Sequence, residues 1–77
     1  MCYYRVIFTT SDNVIHQYDC IAASAKEAKE VTKDLVYRVR RIDDRSRLLF
    51  EGVNILKMSA RKIPESMAFV GSFFRIG

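Results

Sequence analysis

Residues 3–21 form two runs of strand-forming residues on either side of a short turn, and nothing else in the chain constrains the fold as much. Tyr3-Tyr4-Arg5-Val6-Ile7-Phe8-Thr9-Thr10 is dense in aromatic and β-branched side chains, which suit a pleated, half-buried surface. Ser11-Asp12-Asn13 follows, and short polar side chains of this kind bond the local backbone and tolerate turn dihedrals. Val14-Ile15-His16-Gln17-Tyr18-Asp19-Cys20-Ile21 then alternates as a second strand. Together these segments predict an antiparallel hairpin.

A helix is expected next. Ser24 is a natural N-cap and Glu27 lies three residues on, which makes a capping box. Ala25, Ala28, Val31, Leu35 and Val39 recur at steps of three and four and define an apolar face. Lys26, Lys29, Glu30, Lys33 and Asp34 fall opposite and read as a solvated surface of mixed charge. The small alanines on the buried side predict close packing on a sheet. Tyr37-Arg38-Val39-Arg40-Arg41-Ile42-Asp43 reads either as the last helical turns or as a third strand. The strand is favoured, because Asp43-Asp44-Arg45-Ser46 then makes a hairpin turn into Arg47-Leu48-Leu49-Phe50-Glu51, which Gly52 breaks or bulges. Residues 53–63 read either as a short helix capped by Asn54 and ended by Pro64, or as an irregular strand. Residues 67–76 are apolar on both faces, as in a strand buried in the sheet or covered by a partner. The expected fold is α+β, a single domain over residues 1–77. Its sheet is curved and antiparallel, with about five strands in the order β-β-α-β-β-β and one helix packed on one face.

Size limits what holds such a domain together. A chain of 77 residues buries only about 60–65% of its unfolded surface, so small domains lean on disulfides, metal or a partner. Cys2 and Cys20 are the only cysteines; at the open end of the expected hairpin one bridge between them stays open, and the favoured reading is two reduced thiols, in keeping with cytosolic usage. A zinc site needs four ligands, and only Cys2, His16 and Cys20 are at hand. Neither metal nor cofactor is expected, which leaves association with a partner or a second copy. The composition is 49% apolar and 29% charged, an ordinary globular mix that excludes a polar disordered tail, a collagen-like chain and a coiled coil. No apolar stretch approaches the roughly 18 residues of a membrane span. Met1-Cys2-Tyr3-Tyr4-Arg5 is too polar for a signal peptide. The expected location is therefore cytoplasmic, with no membrane partner.

Enzyme signatures are absent from the sequence. The one histidine, His16, sits mid-strand and reads as half-buried. The three glycines form no phosphate-cradling loop. Asp43 and Asp44 fall in an expected turn and point apart. The sharper feature is arginine clustering, with Arg38, Arg40, Arg41, Arg45 and Arg47 accounting for five of eight arginines. Arginine's planar fork of donors matches phosphate or carboxylate. With Asp43, Asp44 and Glu51 interleaved and a net charge of +4, three readings stay open: a self-compensating solvated hairpin, a grip on an acidic protein, or a nucleic-acid contact. Nine aromatic rings are many for this length. Neighbours on a strand alternate faces, so at least one ring each of Tyr3-Tyr4 and Phe73-Phe74 must face away from the helix. Such a ring is either part of an interface or covered by residues 53–64. The candidate partner-binding residues are Arg38, Arg40, Arg41, Arg45, Arg47, Phe50, Tyr3 and Tyr4.

At Cys20-Ile21-Ala22-Ala23-Ser24-Ala25-Lys26-Glu27-Ala28 the chain resembles small phage proteins in which a hairpin runs into a capped Glu-Ala helix. It is similar to anti-CRISPR proteins of hairpin, helix, hairpin plan, whose later strand and turn resemble Arg41-Ile42-Asp43-Asp44 leading into Leu48-Leu49-Phe50. Phage inhibitors of host RNA polymerase are similar through the hairpin and helix. The resemblance spans roughly residues 3–50 and carries over a scaffold and a target class, with no site residue. It implies a non-enzymatic inhibitor, from a phage or mobile element, that binds a host protein or ribonucleoprotein such as a CRISPR effector complex in the host cytoplasm. A weaker likeness is to the archaeal ribosomal protein of LX type, whose Gly-Ser-x-His-Arg-like stretch this chain lacks. The alternative function is a small basic nucleic-acid-binding protein, ribosomal or regulatory, using the arginine hairpin. A homo-dimer paired through the final strand is the third.

Overall fold

A computed structural model describes residues 1–42 and 52–77, the last four of the helix by backbone alone. Two long strands, β1 (Cys2–Thr10) and β2 (Ile15–Ala22), lead into the helix α1 (Ala25–Ile42). A third strand, β3 (Ile55–Ile63), a single 3-10 turn (Glu65–Met67) and a short β4 (Phe73–Arg75) follow. The four strands form one open antiparallel sheet in the order β3-β1-β2-β4. The class is α+β, with four strands among the described residues where about five are expected over the chain. β2 and β3 flank β1 and both oppose it in direction, so they run parallel to each other, and α1 spans the crossover between them.

The hairpin forms where its residues predict it. Asn13 takes a left-handed backbone at φ 64°, a conformation that asparagine tolerates better than most residues. The Thr10 N–H donates to Val14 O at 3.0 Å and closes the loop. Even-numbered residues then face the helix. Val6 and Phe8 are fully buried, with Tyr18, Cys20 and Ala22 beside them, and each large side chain so buried contributes about 1.5–3 kcal/mol. Phe8 stacks on His16 at 5.0 Å and meets Phe73 edge-on at 6.2 Å. Phe73 in turn stacks on Tyr18 at 4.6 Å. The two cysteines are free thiols, and burial pushes that of Cys20 up.

The helix starts as predicted, with Ser24 Oγ accepting the Glu27 N–H at 3.1 Å. Its buried stripe is shifted from the expected one. Ala28, Thr32 and Val36 lie under it with Ala25 and Leu35 partly buried, while Val31 is exposed. Thr32 escapes an apolar-period search because it is polar. Its hydroxyl donates to Ala28 O at 2.8 Å, so its polarity is satisfied inside the helix.

Three expectations are corrected. Residues 37–42 continue the helix and form no third strand. Extending an existing helix needs no new nucleus, β-branching costs only a few tenths of a kcal/mol per residue, and cations favour a helix C-terminus. The Tyr37 hydroxyl also accepts the Ile55 N–H at 3.3 Å, which ties this stretch to β3. Residues 53–63 take the irregular-strand reading, as β3, and the expectation that they cover the second face is the one that fails. A bulge between Thr9 and Thr10 of the pairing skips Leu56, which points out to solvent. Residues 67–76 give only the three-residue β4, at an exposed sheet edge. Gly71 at φ 91° diverts this run from continuous extension. The expected strand at residues 47–51 lies outside the described residues.

Two outcomes follow from this core. Phe8→Ala should cost about 3–5 kcal/mol, a large share of the about 4–12 kcal/mol available to a chain this long, read as a lower urea midpoint at unchanged slope. A midpoint within experimental error of wild type would contradict the packing. His16 gives a pH dependence. Thr10 Oγ1 lies within hydrogen-bond distance of His16 Nε2, at 3.2 Å. Burial lowers the His16 pKa below 6.5, with Asp12 opposing and Arg75 reinforcing the shift. The unfolded chain then binds more protons than the folded one in the window below about 6.5. Stability is full above that pH and falls as pH drops through the window. Urea midpoints from pH 8 to 5 should decline for wild type and stay flat for His16→Gln. A flat wild-type profile would remove this role.

Candidate functional site

Odd-numbered residues of β1 and β2 face away from α1 and form a second face with its own logic. The register sets Tyr3 between Ile21 and Ile63, Arg5 between Asp19 and Arg61, Ile7 between Gln17 and Ser59, and Thr9 between Ile15 and Lys57. Phe74 of β4 stands opposite Gln17 and extends the third row.

Asp19 is the unusual member, a carboxylate only 1% exposed. A buried charge is costly unless it is paired and hydrogen-bonded. Arg5 approaches in fork geometry, Nε to Oδ1 at 3.1 Å and Nη2 to Oδ2 at 3.2 Å. The pairing holds the guanidinium charged, raising its pKa further, first through the Asp19 hydrogen bond. Both groups also bind the segment between β3 and β4. Arg5 Nη2 donates to Met67 O at 2.9 Å, and the Phe69 N–H donates to Asp19 Oδ2 at 3.0 Å. The Gly71 N–H reaches the Asp19 carbonyl at 3.2 Å. Residues 64–72 therefore cross the face as a strap, from the β3 edge to the β4 edge.

Between strap and β4 the face opens into a shallow cleft of about 370 Å³ lined by Arg5, Gln17, Phe69, Phe74, Arg75 and Ile76. Phe69 is 66% exposed and Phe74 41%. Their rings meet edge to face, 6.1 Å apart at 74°. Met67, Val70 and Ile76 are exposed around them. Isolated exposed apolar residues are ordinary, whereas a contiguous set beside a cleft marks a contact surface.

The candidate residues from the sequence do not gather here. Arg38, Arg40 and Arg41 lie in the final turns of α1, and Arg38 pairs with Asp34 one turn back at 2.6 Å. Arg45, Arg47 and Phe50 lie outside the described residues. Tyr4 packs against the core under the helix, and Tyr3 is half-buried on the second face. Of the two aromatic pairs, Tyr4 and Phe73 turn inward while Phe74 turns out. His16 is sealed in the core, 1% exposed. Among the described residues no three His, Cys, Asp or Glu side chains gather as metal ligands would, and no helix is long and apolar enough to cross a membrane. Sequence reasoning missed Arg5, Asp19 and Phe69. Arg5 and Asp19 lie at matching distances from the hairpin turn, and that symmetry was a usable signal. Phe69 carried none, because its place depends on the strap.

Asp19→Asn should cost about 3 kcal/mol, since it leaves Arg5 with an uncompensated charge. It should also speed amide exchange at Phe69 and Gly71 well before the core amides of Val6 and Phe8. Uniform acceleration across all four amides would show that Asp19 does not hold the strap separately.

No protein-family model matches the chain, and neither a curated protein nor a solved structure shows significant similarity to it.

Proposed function

We propose that this chain is a non-enzymatic binding protein that docks on a protein partner and blocks or redirects it. In its specific form the proposal is an inhibitor carried by a phage or mobile element, acting in the host cytoplasm on a nucleic-acid machine such as a CRISPR effector complex. One observation carries the binding reading: Phe69 and Phe74 stand exposed on a cleft whose wall is tethered by the buried Asp19–Arg5 pair. Exposed aromatic area on a pre-organised surface costs little ordering entropy on binding and supplies the desolvated centre of an interface. The target class rests on the resemblance of residues 20–28 to small phage inhibitors.

Direct nucleic-acid binding through the arginine cluster is the second reading, supported by the net charge of +4. Against it, Arg38 is already paired with Asp34 on the helix surface. Affinity capture of the tagged protein from host lysate, with and without nuclease, separates the two. The expected result is a protein partner retained after nuclease treatment. Loss of all partners on nuclease treatment would transfer the function to nucleic acid.

A further inference from the structure

We infer that the outer edge of β3 takes an extended acidic segment of a protein partner as an added strand. This edge lies across the sheet from the cleft and goes beyond the reading above, giving the chain a second point of contact with its own chemistry.

Hydrogen bonds along a central antiparallel strand alternate between its two neighbours. The Thr10 N–H donates to Val14 O on the β2 side and the Ser11 N–H to Asn54 O on the β3 side, so odd-numbered residues of β1 bond to β3. Their partners there are Lys57, Ser59, Arg61 and Ile63. Met58, Ala60 and Lys62 therefore turn their N–H and C=O groups outward, where they meet no partner among the described residues. Such a row of alternating donors and acceptors matches another peptide backbone. Edges are commonly protected by brevity, proline or bulges. β3 runs for nine residues without a proline, and its bulge sits at the Thr10 end of the pairing.

The side chains set the sign of the occupant. Lys57, Ser59 and Arg61 stand level with Thr9, Ile7 and Arg5 and face away from α1, while Lys62 stands with Tyr4 on the helix side. All four are exposed, and Lys57, Arg61 and Lys62 make no ion pair among the described residues. Arg61 adjoins Arg5, whose carboxylate partner is Asp19. A second copy paired on this edge would set three cations against three, which is unfavourable. A phosphate backbone would accept from the outward N–H groups and leave the outward carbonyls without donors. An extended peptide satisfies both, and carboxylates four positions apart on it would lie opposite Lys57 and Arg61. Apolar residues at its alternate positions would lie beside Met58 and Ala60, which are half-buried on the helix side. The same cations that repel a like strand thus select an acidic one.

Amide exchange of the full chain, titrated with the end-blocked peptide Val-Glu-Val-Thr-Val-Glu-Val, tests the inference. The amides of Met58, Ala60 and Lys62 should slow at least about tenfold, while those of Lys57, Ser59 and Arg61, already bonded to β1, should change little. Replacing both glutamates of the peptide by lysine should weaken binding at least about tenfold. N-methylation of its alternate valines, which removes the donors facing β3, should do the same. Lys57→Glu with Arg61→Glu should reverse the preference toward the lysine peptide. Ala60→Pro removes an outward N–H, a change that an edge strand accepts, and should weaken binding too. Unchanged amide shifts of Val6, Phe8 and Cys20 verify the fold of each variant, and the N-methylated peptide makes the backbone test without altering the protein. No protection at the three outward amides, equal binding of both peptides, or indifference to N-methylation would each overturn the inference. So would protection by oligothymidylate in place of the peptide, or protection that grows with protein concentration alone. The cleft variant Phe69→Ser with Phe74→Ser should bind the peptide as wild type does, which separates this edge from the cleft; loss of binding there would assign the peptide to the cleft and overturn the inference.

Discussion

The second face of this sheet depends on one buried ion pair. Asp19 sits in the middle of β2, where a carboxylate would ordinarily oppose burial, and the strand register places Arg5 directly across from it. Hairpin pairing makes this contact local in sequence, with the partners fourteen positions apart. The pair then has acceptor and donor capacity to spare. Arg5 uses it on Met67 O and Asp19 on the Phe69 N–H, so a local interaction within the hairpin fixes the position of a segment about fifty residues further along the chain. Apolar side chains in these two positions would fill the same space, but they would give the strap backbone nothing to bind. Here the ion pair specifies a connection, which matches the best-supported role of such pairs.

The hairpin assigns its two faces to different kinds of interaction. Its even-numbered residues build an apolar layer with α1, where shape and area dominate and the polar exceptions, Thr10, His16 and Thr32, are hydrogen-bonded among themselves or to backbone. Among its odd-numbered residues, Arg5 and Asp19 hold the strap by hydrogen bonds. The outer strand β3 carries Lys57, Arg61 and Lys62 exposed along its length. Charged side chains on an edge discourage unwanted strand pairing.

How much was legible follows from the range of each interaction. The hairpin, the Ser24 cap and the inward–outward split of Tyr3-Tyr4 and Phe73-Phe74 are local or periodic properties, and the residues themselves declare them. The end of α1 was not legible, because residues 37–42 have mixed propensity and no glycine or proline stop; Asp34–Arg38 pairing and the Tyr37 contact to β3 decide it. Residues 53–63 admitted both a helix and a strand, and pairing with β1 selected the strand. The cleft was least legible of all. It needs Phe69 from the strap and Phe74 from β4 brought together, and no sequence period links residues placed by a tertiary hydrogen bond to Asp19.

The exposed aromatic patch is also a consequence of economy in a small chain. Strands lie about 4.8 Å apart and a helix with its side chains is about 10–12 Å across. One helix therefore spans two to three strands of a four-stranded sheet, and α1 lies over β1, β2 and β3. Phe73 compensates by reaching inward from β4 to stack on Tyr18. On the opposite face a strap of nine residues crosses once, at the level of Arg5 and Asp19, and leaves the rows nearer the hairpin turn uncovered. Phe74 must then face outward, since alternation forbids it from sharing the inward side with Phe73. The geometry that secures the core at β4 thus places a second aromatic ring in solvent beside it. Phe69, carried over by the strap, turns that single exposed ring into a cleft.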